Sequence, residues 1–204
     1  MVQVIQNNLK VTELDISISL IPQQFNENND YFRRNLQSNP FISLLVPTLK
    51  NLKQTIMAYK ALDIAKKLIY KALEDEPNGG ERLTNLKLQK LLYYQQGFHL
   101  AAFGTPLFEE NVESWMYGPV VPCVYDEYAQ YGSSVLPEED SSITLEEEEE
   151  ILFNEVYQAY REFSAIGLMN RTHSEQPWIE AVPHDRGTVI SCESMSEYFK
   201  TQLQ

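Results

Sequence analysis

The side chains of this sequence best suited to chemistry are three histidines, two cysteines and a run of five glutamates, and only one group among them has reaction-like spacing. In RTHSEQPW, His173, Glu175 and Trp178 lie within one turn of a helix start, so an imidazole and a carboxylate stand near enough for a general base and its orienting partner. A small hydrolase built on His173 and Glu175 also needs a nucleophile, and no G-x-S-x-G elbow or comparable motif accompanies them. The structural alternative is that His173 and Ser174 cap the helix while Trp178 fills the core. His99 sits on an apolar stripe and reads as a satisfied buried histidine bonded to Gln95 one turn earlier, with proton carriage as the alternative. His184 precedes a turn at Asp185-Arg186-Gly187 and has no recognisable partner. Cys123 and Cys192 form no CxxC and have no histidine at ligand spacing, so neither a disulfide framework nor a metal site is expected. The glutamates at 146–150 open a helix, where capping and the macrodipole account for them as a solvated face. PNGG at 77–80 lacks the lysine and spacing of a phosphate-binding loop, and no cofactor is expected.

The elements that must position these residues are mostly helices. MAYKALDIAKKLIYKALEDEP, from Met57, places Ala58, Leu62, Ala65, Ile69 and Ala72 at helical spacing, and PNGG ends it. LTNLKLQKLLYYQQGFHLAAFG follows, with Thr84 or Asn85 as N-cap. Leu88, Leu91, Leu92 and Ala102 share one stripe, with Gln95 and His99 buried in its middle. Lys87, Lys90, Tyr94, Gly97 and Ala101 form a second face that starts charged and ends small, so another element should lie close against Gly97. The first turns (Lys87, Gln89, Lys90, and Tyr93 beyond them) are expected to stay available to a partner. GTPLF is a turn, NVESWMYGPVV a short strand running into Gly118-Pro119, and PVVPCVYDEYAQYG a helix with proline in its first turn. Trp115, Tyr117, Gly118, Pro119 and Tyr125 gather at that corner, where aromatic residues serve as core or as interface anchors. Thr144 and Glu147 predict a capping box, Leu145, Leu152, Val156, Ala159 and Phe163 the buried stripe after it, and Ser194 and Glu197 a second box before the last helix. The predicted fold is mainly α with a few short β-strands, a compact helical domain around a buried central helix at about 84–103.

The charge is uneven. The net −13 arises from residues 101–204, which carry 4 Lys/Arg against 20 Asp/Glu, while residues 1–100 are slightly basic. Such a surface repels phosphate backbones and attracts basic proteins, so nucleic-acid binding is disfavoured; only Arg82, Lys87 and Lys90 support a DNA-reading regulator. No apolar run is long enough to cross a bilayer and no secretory signal opens the chain, which reads as soluble and cytoplasmic. Residues 1–56 include the Asn/Gln-rich PQQFNENNDYFRRNLQSNP and differ in texture from the domain expected over 57–204.

The order of motifs is more specific than any one of them. Thr84, Lys87, Leu88, Lys90, Leu91, Tyr93 and Tyr94 fit T-x-x-K-L-x-K-L-x-Y-Y; Gly104, Pro106, Leu107 and Phe108 fit G-x-P-L-F. Trp115, Tyr117, Gly118, Pro119 and Val120, then Val124 and Tyr125, fit W-x-Y-G-P-V and its V-Y helix; Thr172, His173, Glu175, Pro177 and Trp178 fit T-H-x-E-x-P-W. In this the chain resembles the Panacea domain, the SocA-like antitoxin family that also includes phage-associated GepA-like proteins. The resemblance implies a non-enzymatic antitoxin of a bacterial or phage toxin–antitoxin module that binds a cognate toxin encoded beside it, with no cofactor. It also allows a proteolytic adaptor that delivers the toxin to a protease. Residues 1–56 have no counterpart in that pattern and are either a partner-specific extension or a stretch read through before a start at Met57. Partner contacts are expected among Lys87, Gln89, Lys90, Tyr93, Tyr117, Gly118, Pro119, Tyr125, His173 and Glu175. Thr84, Leu88, Leu91, Tyr94, Gly97, His99, Trp115, Pro177 and Trp178 are expected to be structural.

Overall fold

The computed structural model describes residues 58–141, 143–181 and 187–203; the proposed extension at 1–56 and His184 lie outside them. The first helix, α1 (Ala61–Asp75), buries Ala61, Ile64, Ala65, Leu68, Ile69 and Ala72 along one stripe. Its entering strand of chain is clamped before the helix begins. Tyr59 N–H donates to Leu107 O at 2.8 Å, and the first helical N–H, at Ala61, is capped by Glu110 Oε2 at 2.9 Å. A short 3-10 turn (Glu76–Asn78) closes α1, with Gly79 in the left-handed conformation that releases the chain.

The central helix, α2 (Asn85–Phe103), starts at Thr84, whose hydroxyl accepts from Lys87 N, and stops at Gly104, φ 72°. Every residue from Lys87 to Leu100 is buried, so this helix has no solvent face over more than three turns. Helix α1, α3 (Pro122–Tyr128), α4 (Glu147–Tyr160), α5 (Ala165–Thr172) and α7 (Cys192–Lys200) pack around it, with α6 (Gln176–Ala181) joining α5 to the sheet. Gly97 faces α7: a Cβ there would stand 2.1 Å from the Phe199 ring, so only glycine allows that crossing. Three short strands form an antiparallel sheet in the order β2-β1-β3: β1 (Glu113–Trp115), β2 (Gly118–Val120) and β3 (Thr188–Val189). β1 and β2 are a hairpin with Trp115 opposite Gly118 and Met116-Tyr117 as its two-residue tip. The mainly helical class with a few short strands around a buried central helix is the architecture observed.

Several local expectations are corrected. The start of α2 is enclosed: Lys87, Gln89, Lys90 and Tyr93 are all buried. The capping box of α4 is Glu146 with Glu149, two residues beyond the Thr144/Glu147 pair. Helix α7 is capped by Ser191, not Ser194. The buried face of α4 is Phe153, Val156, Tyr157 and Tyr160, a rotation away from the stripe through Leu152, Ala159 and Phe163. The tyrosines carry that packing, Tyr160 stacking on Tyr94 with ring centroids 3.8 Å apart.

Candidate functional site

The polar residues of α2 are buried because each reaches the backbone of a neighbouring element. Gln89 Oε1 accepts from Val121 N at 2.9 Å, while its amide nitrogen holds Asn85, which in turn donates to Tyr125 O. Gln96 grips the G-T-P-L-F turn three times: its oxygen accepts from Leu107 N and Phe108 N, and its nitrogen donates to Phe108 O. Gln95 Nε2 donates to Phe153 O on α4 at 2.9 Å. A buried amide without such partners would cost about 1–3 kcal/mol, so these side chains fix the positions of the turns they touch.

Lys87 and Lys90 act in the same way. Lys87 Nζ donates to Arg161 O at 2.7 Å, and Lys90 Nζ to Pro119 O at 2.7 Å. Lys90 is fully buried, its ammonium answered by a carbonyl rather than a carboxylate, and burial pushes its pKa down to about 7. Above it sits Gly118, φ +93°, where a Cβ would strike Thr172 Oγ1 and the end of Lys90. The Gly-Pro corner is thus seated on a lysine of the central helix.

The His173 segment joins the corner from the other side. Thr172 ends α5, His173 caps it, and the His173 ring stacks on Trp178 at 4.1 Å. Burial pushes the His173 pKa down, the nearby Lys90 reinforces that, and the Met116 backbone opposes it. Trp178 Nε1 donates to Trp115 O at 3.3 Å, and Trp115 packs edge-on against Tyr125. Glu175, 3% exposed, accepts from Tyr94 OH at 2.9 Å and lies 3.5 Å from Arg171 Nε. Burial raises its pKa to about 7 despite the Tyr94 hydroxyl and Arg171, which favour the carboxylate. The Tyr93 hydroxyl, Glu175 Oε2 and His173 Nε2 are enclosed without a hydrogen-bond partner. Glu175 is committed to Tyr94 and Arg171 rather than to His173, so the two do not form an acid–base pair with an orienting partner. His173 is a helix C-cap, while Trp178 is half-buried rather than wholly in the core.

At the far end of α2, His99 bonds not Gln95 but Thr105 O, 2.7 Å from Nδ1, and Glu149 Oε1, 3.2 Å from Nε2. Both ring nitrogens thus have a partner. Glu149 also accepts from Tyr59 OH at 2.6 Å. Burial pushes its pKa up, but hydrogen bonds from His99 and Tyr59 outweigh that and leave it lowered. One glutamate of the run therefore ties together the chain before α1, the central helix and the cap of α4. Among the described residues no group of His, Cys, Asp and Glu could hold a metal, and no helix is long and apolar enough to cross a membrane.

Of the ten expected partner contacts, Tyr117 is exposed, Tyr125 and His173 are half-buried, and the others are enclosed. Met116, which no motif singled out, is the most exposed large hydrophobic side chain described, at 78%. Its signal in the sequence was only position, between the tryptophan and tyrosine of W-x-Y-G-P-V.

Residues 88–179 match the family model described as "Antitoxin SocA-like, Panacea domain". A 43-residue stretch is 49% identical to Antitoxin SocA of Caulobacter vibrioides (strain NA1000 / CB15N), covering 21% of this chain and 23% of that relative. The chain therefore spans about a quarter of the length of the curated relative it matches. No solved structure matches it. Gln89, Lys90, Tyr94, Gly118, Thr172, Glu175 and Trp178, which knit α2 to the Gly-Pro corner and to the His173 segment, all fall within the matched residues, and over 88–179 this chain is similar to the SocA-like Panacea domain.

Proposed function

We propose that the protein is an antitoxin that neutralises a toxin encoded beside it by binding it directly in the cytoplasm. The observation that carries this reading is the Panacea domain, supported by the 43-residue similarity to a protein named as an antitoxin. The internal geometry agrees with a binding role. Lys90, Gln89, Gln96 and Glu175, which have the chemistry for a reactive site, are spent on hydrogen bonds that hold the fold. Tyr117, Tyr125 and His173 remain reachable at one corner and are the contacts this reading favours.

Co-expression with the product of the adjacent gene tests the proposal. Colony formation by cells carrying both genes, growth arrest by the neighbour alone, and co-purification of the two proteins are the expected results. Growth arrest that this chain does not relieve, or the absence of any complex between the two purified proteins, would rule the reading out.

A further inference from the structure

The two most exposed large hydrophobic side chains among the described residues are neighbours in sequence: Met116 at 78% and Tyr117 at 62%. A single exposed apolar residue means little, since much of any folded surface is apolar. These two, however, form the whole tip of the β1–β2 hairpin, and the hairpin is held from beneath. Gly118 closes the tip with a backbone conformation its neighbours permit only to glycine. Lys90 fixes the Pro119 carbonyl and Trp178 the Trp115 carbonyl. The Trp115 ring is itself tied to Glu113 Oε2 by its N–H at 2.9 Å and packed against Tyr125. A buried lysine, two tryptophans and a left-handed glycine thus immobilise a turn whose side chains point at water. Displaying apolar groups on a rigid turn lowers the entropy lost on binding, and methionine and tyrosine are enriched at interface centres.

The charge around the tip says what kind of partner fits. Between Lys90 and Arg161 the sequence contains no lysine or arginine and 14 aspartates and glutamates. Glu113 on β1 and the exposed Asp126 and Glu127 on α3, next in sequence to the Tyr125 that packs on Trp115, belong to that stretch. An apolar knob with carboxylates on its own strand and on the adjoining helix complements a cationic protein surface around an apolar pocket.

The geometry points to Met116 and Tyr117 as the anchor that inserts into an apolar pocket on a basic face of the toxin, with Glu113, Asp126 and Glu127 as the steering rim. This rests on the antitoxin reading and adds the surface and the partner's chemistry to it. The test uses the full chain and the purified product of the adjacent gene. Met116→Ser with Tyr117→Ser, and Tyr117→Ala alone, should leave the thermal midpoint unchanged because both side chains are exposed. The double variant should weaken binding by about 100-fold or more and abolish rescue, as expected for a central anchor. Ile151→Ser, at an exposed position on α4, is the control and should bind like the parent. Asp126→Lys with Glu127→Lys should slow association about tenfold at low salt, as loss of a steering rim does. If the parent chain binds and the double serine variant binds equally well, the anchor assignment is wrong while the antitoxin reading stands. If association is unaffected by the lysine variants and by salt, the basic character of the partner face is wrong. If the parent chain itself neither binds nor rescues, the antitoxin reading falls and this inference falls with it.

Discussion

Lys90 and Tyr94, one turn apart on the central helix, hold the Gly-Pro corner and Glu175, and the ionisable groups involved give the protein's stability a defined pH dependence. Lys90 titrates near 7 in the fold and near 10.5 when unfolded, so between those values the unfolded chain binds a proton that the folded one does not. Stability contributed at this site therefore rises with pH from about 7 to 10, by at most ~1.4 kcal/mol per unit. Urea unfolding of the parent and of Lys90→Met at pH 7 and 9.5 should show the parent gaining relative to the variant; parallel behaviour would mean the ammonium stays solvated. Glu175 works in the opposite sense. Its folded pKa is raised to about 7, so its contribution is intact below about 4.5 and is lost as pH rises through 7. Glu175→Gln keeps an acceptor for Tyr94 and removes the charge, and should be more stable than the parent by up to about 3 kcal/mol at pH 8, with the gain vanishing near pH 4.5. A gain that does not vary with pH would contradict this account. The enclosure of Lys87 and Lys90 was not legible in the sequence, because the groups that satisfy them, Arg161 O and Pro119 O, are backbone carbonyls far along the chain. His99 was legible as buried but not in its partners, for the same reason.

At the scale of elements, the crossing of α2 and α7 depends on one missing side chain. Gly97→Ala would drive a methyl into the Phe199 ring and should cost about 1–3 kcal/mol, the usual penalty of overpacking. Combining it with Phe199→Leu should recover part of that loss, so a double-mutant cycle read by chemical denaturation checks the contact; strictly additive effects would place the strain elsewhere. The close approach at Gly97 was readable in advance, since a face that turns from charged to small signals a neighbour. The partner helix was not. The face of α4 was misread because the spacing was followed through leucine, alanine and phenylalanine, whereas Tyr157 and Tyr160 carry much of the packing and keep their hydroxyl ends near polar groups. The capping box of α4 slipped because a Glu-rich stretch offers several caps of similar quality, and the choice is made by Glu149 reaching His99 and Tyr59 across the fold.

For the whole molecule, the clamp at Tyr59 and Ala61 suggests where the independent unit begins. We propose the domain as residues 57–204: a chain starting at Met57 should unfold cooperatively with nearly the midpoint of the full sequence. One starting at Leu62, without the Tyr59 hydrogen bonds to Leu107 O and Glu149, should melt lower by several degrees in a calorimetric scan. A broad, non-cooperative transition for the Met57 form would assign residues 1–56 to the core. The fold class and the central helix could be read from helical spacing and from the faces of residues 84–103, but the contacts that seat the Gly-Pro corner could not, because they join motifs that the sequence keeps apart. That corner has an optical consequence. Both of the protein's tryptophans, Trp115 and Trp178, belong to it, joined through one hydrogen bond and with the His173 ring stacked on Trp178. Intrinsic indole fluorescence therefore reports on this one corner of the molecule rather than on its average. A ligand settling on the hairpin, or a proton arriving at His173 to quench the indole beneath it, would register in the emission without any label being attached.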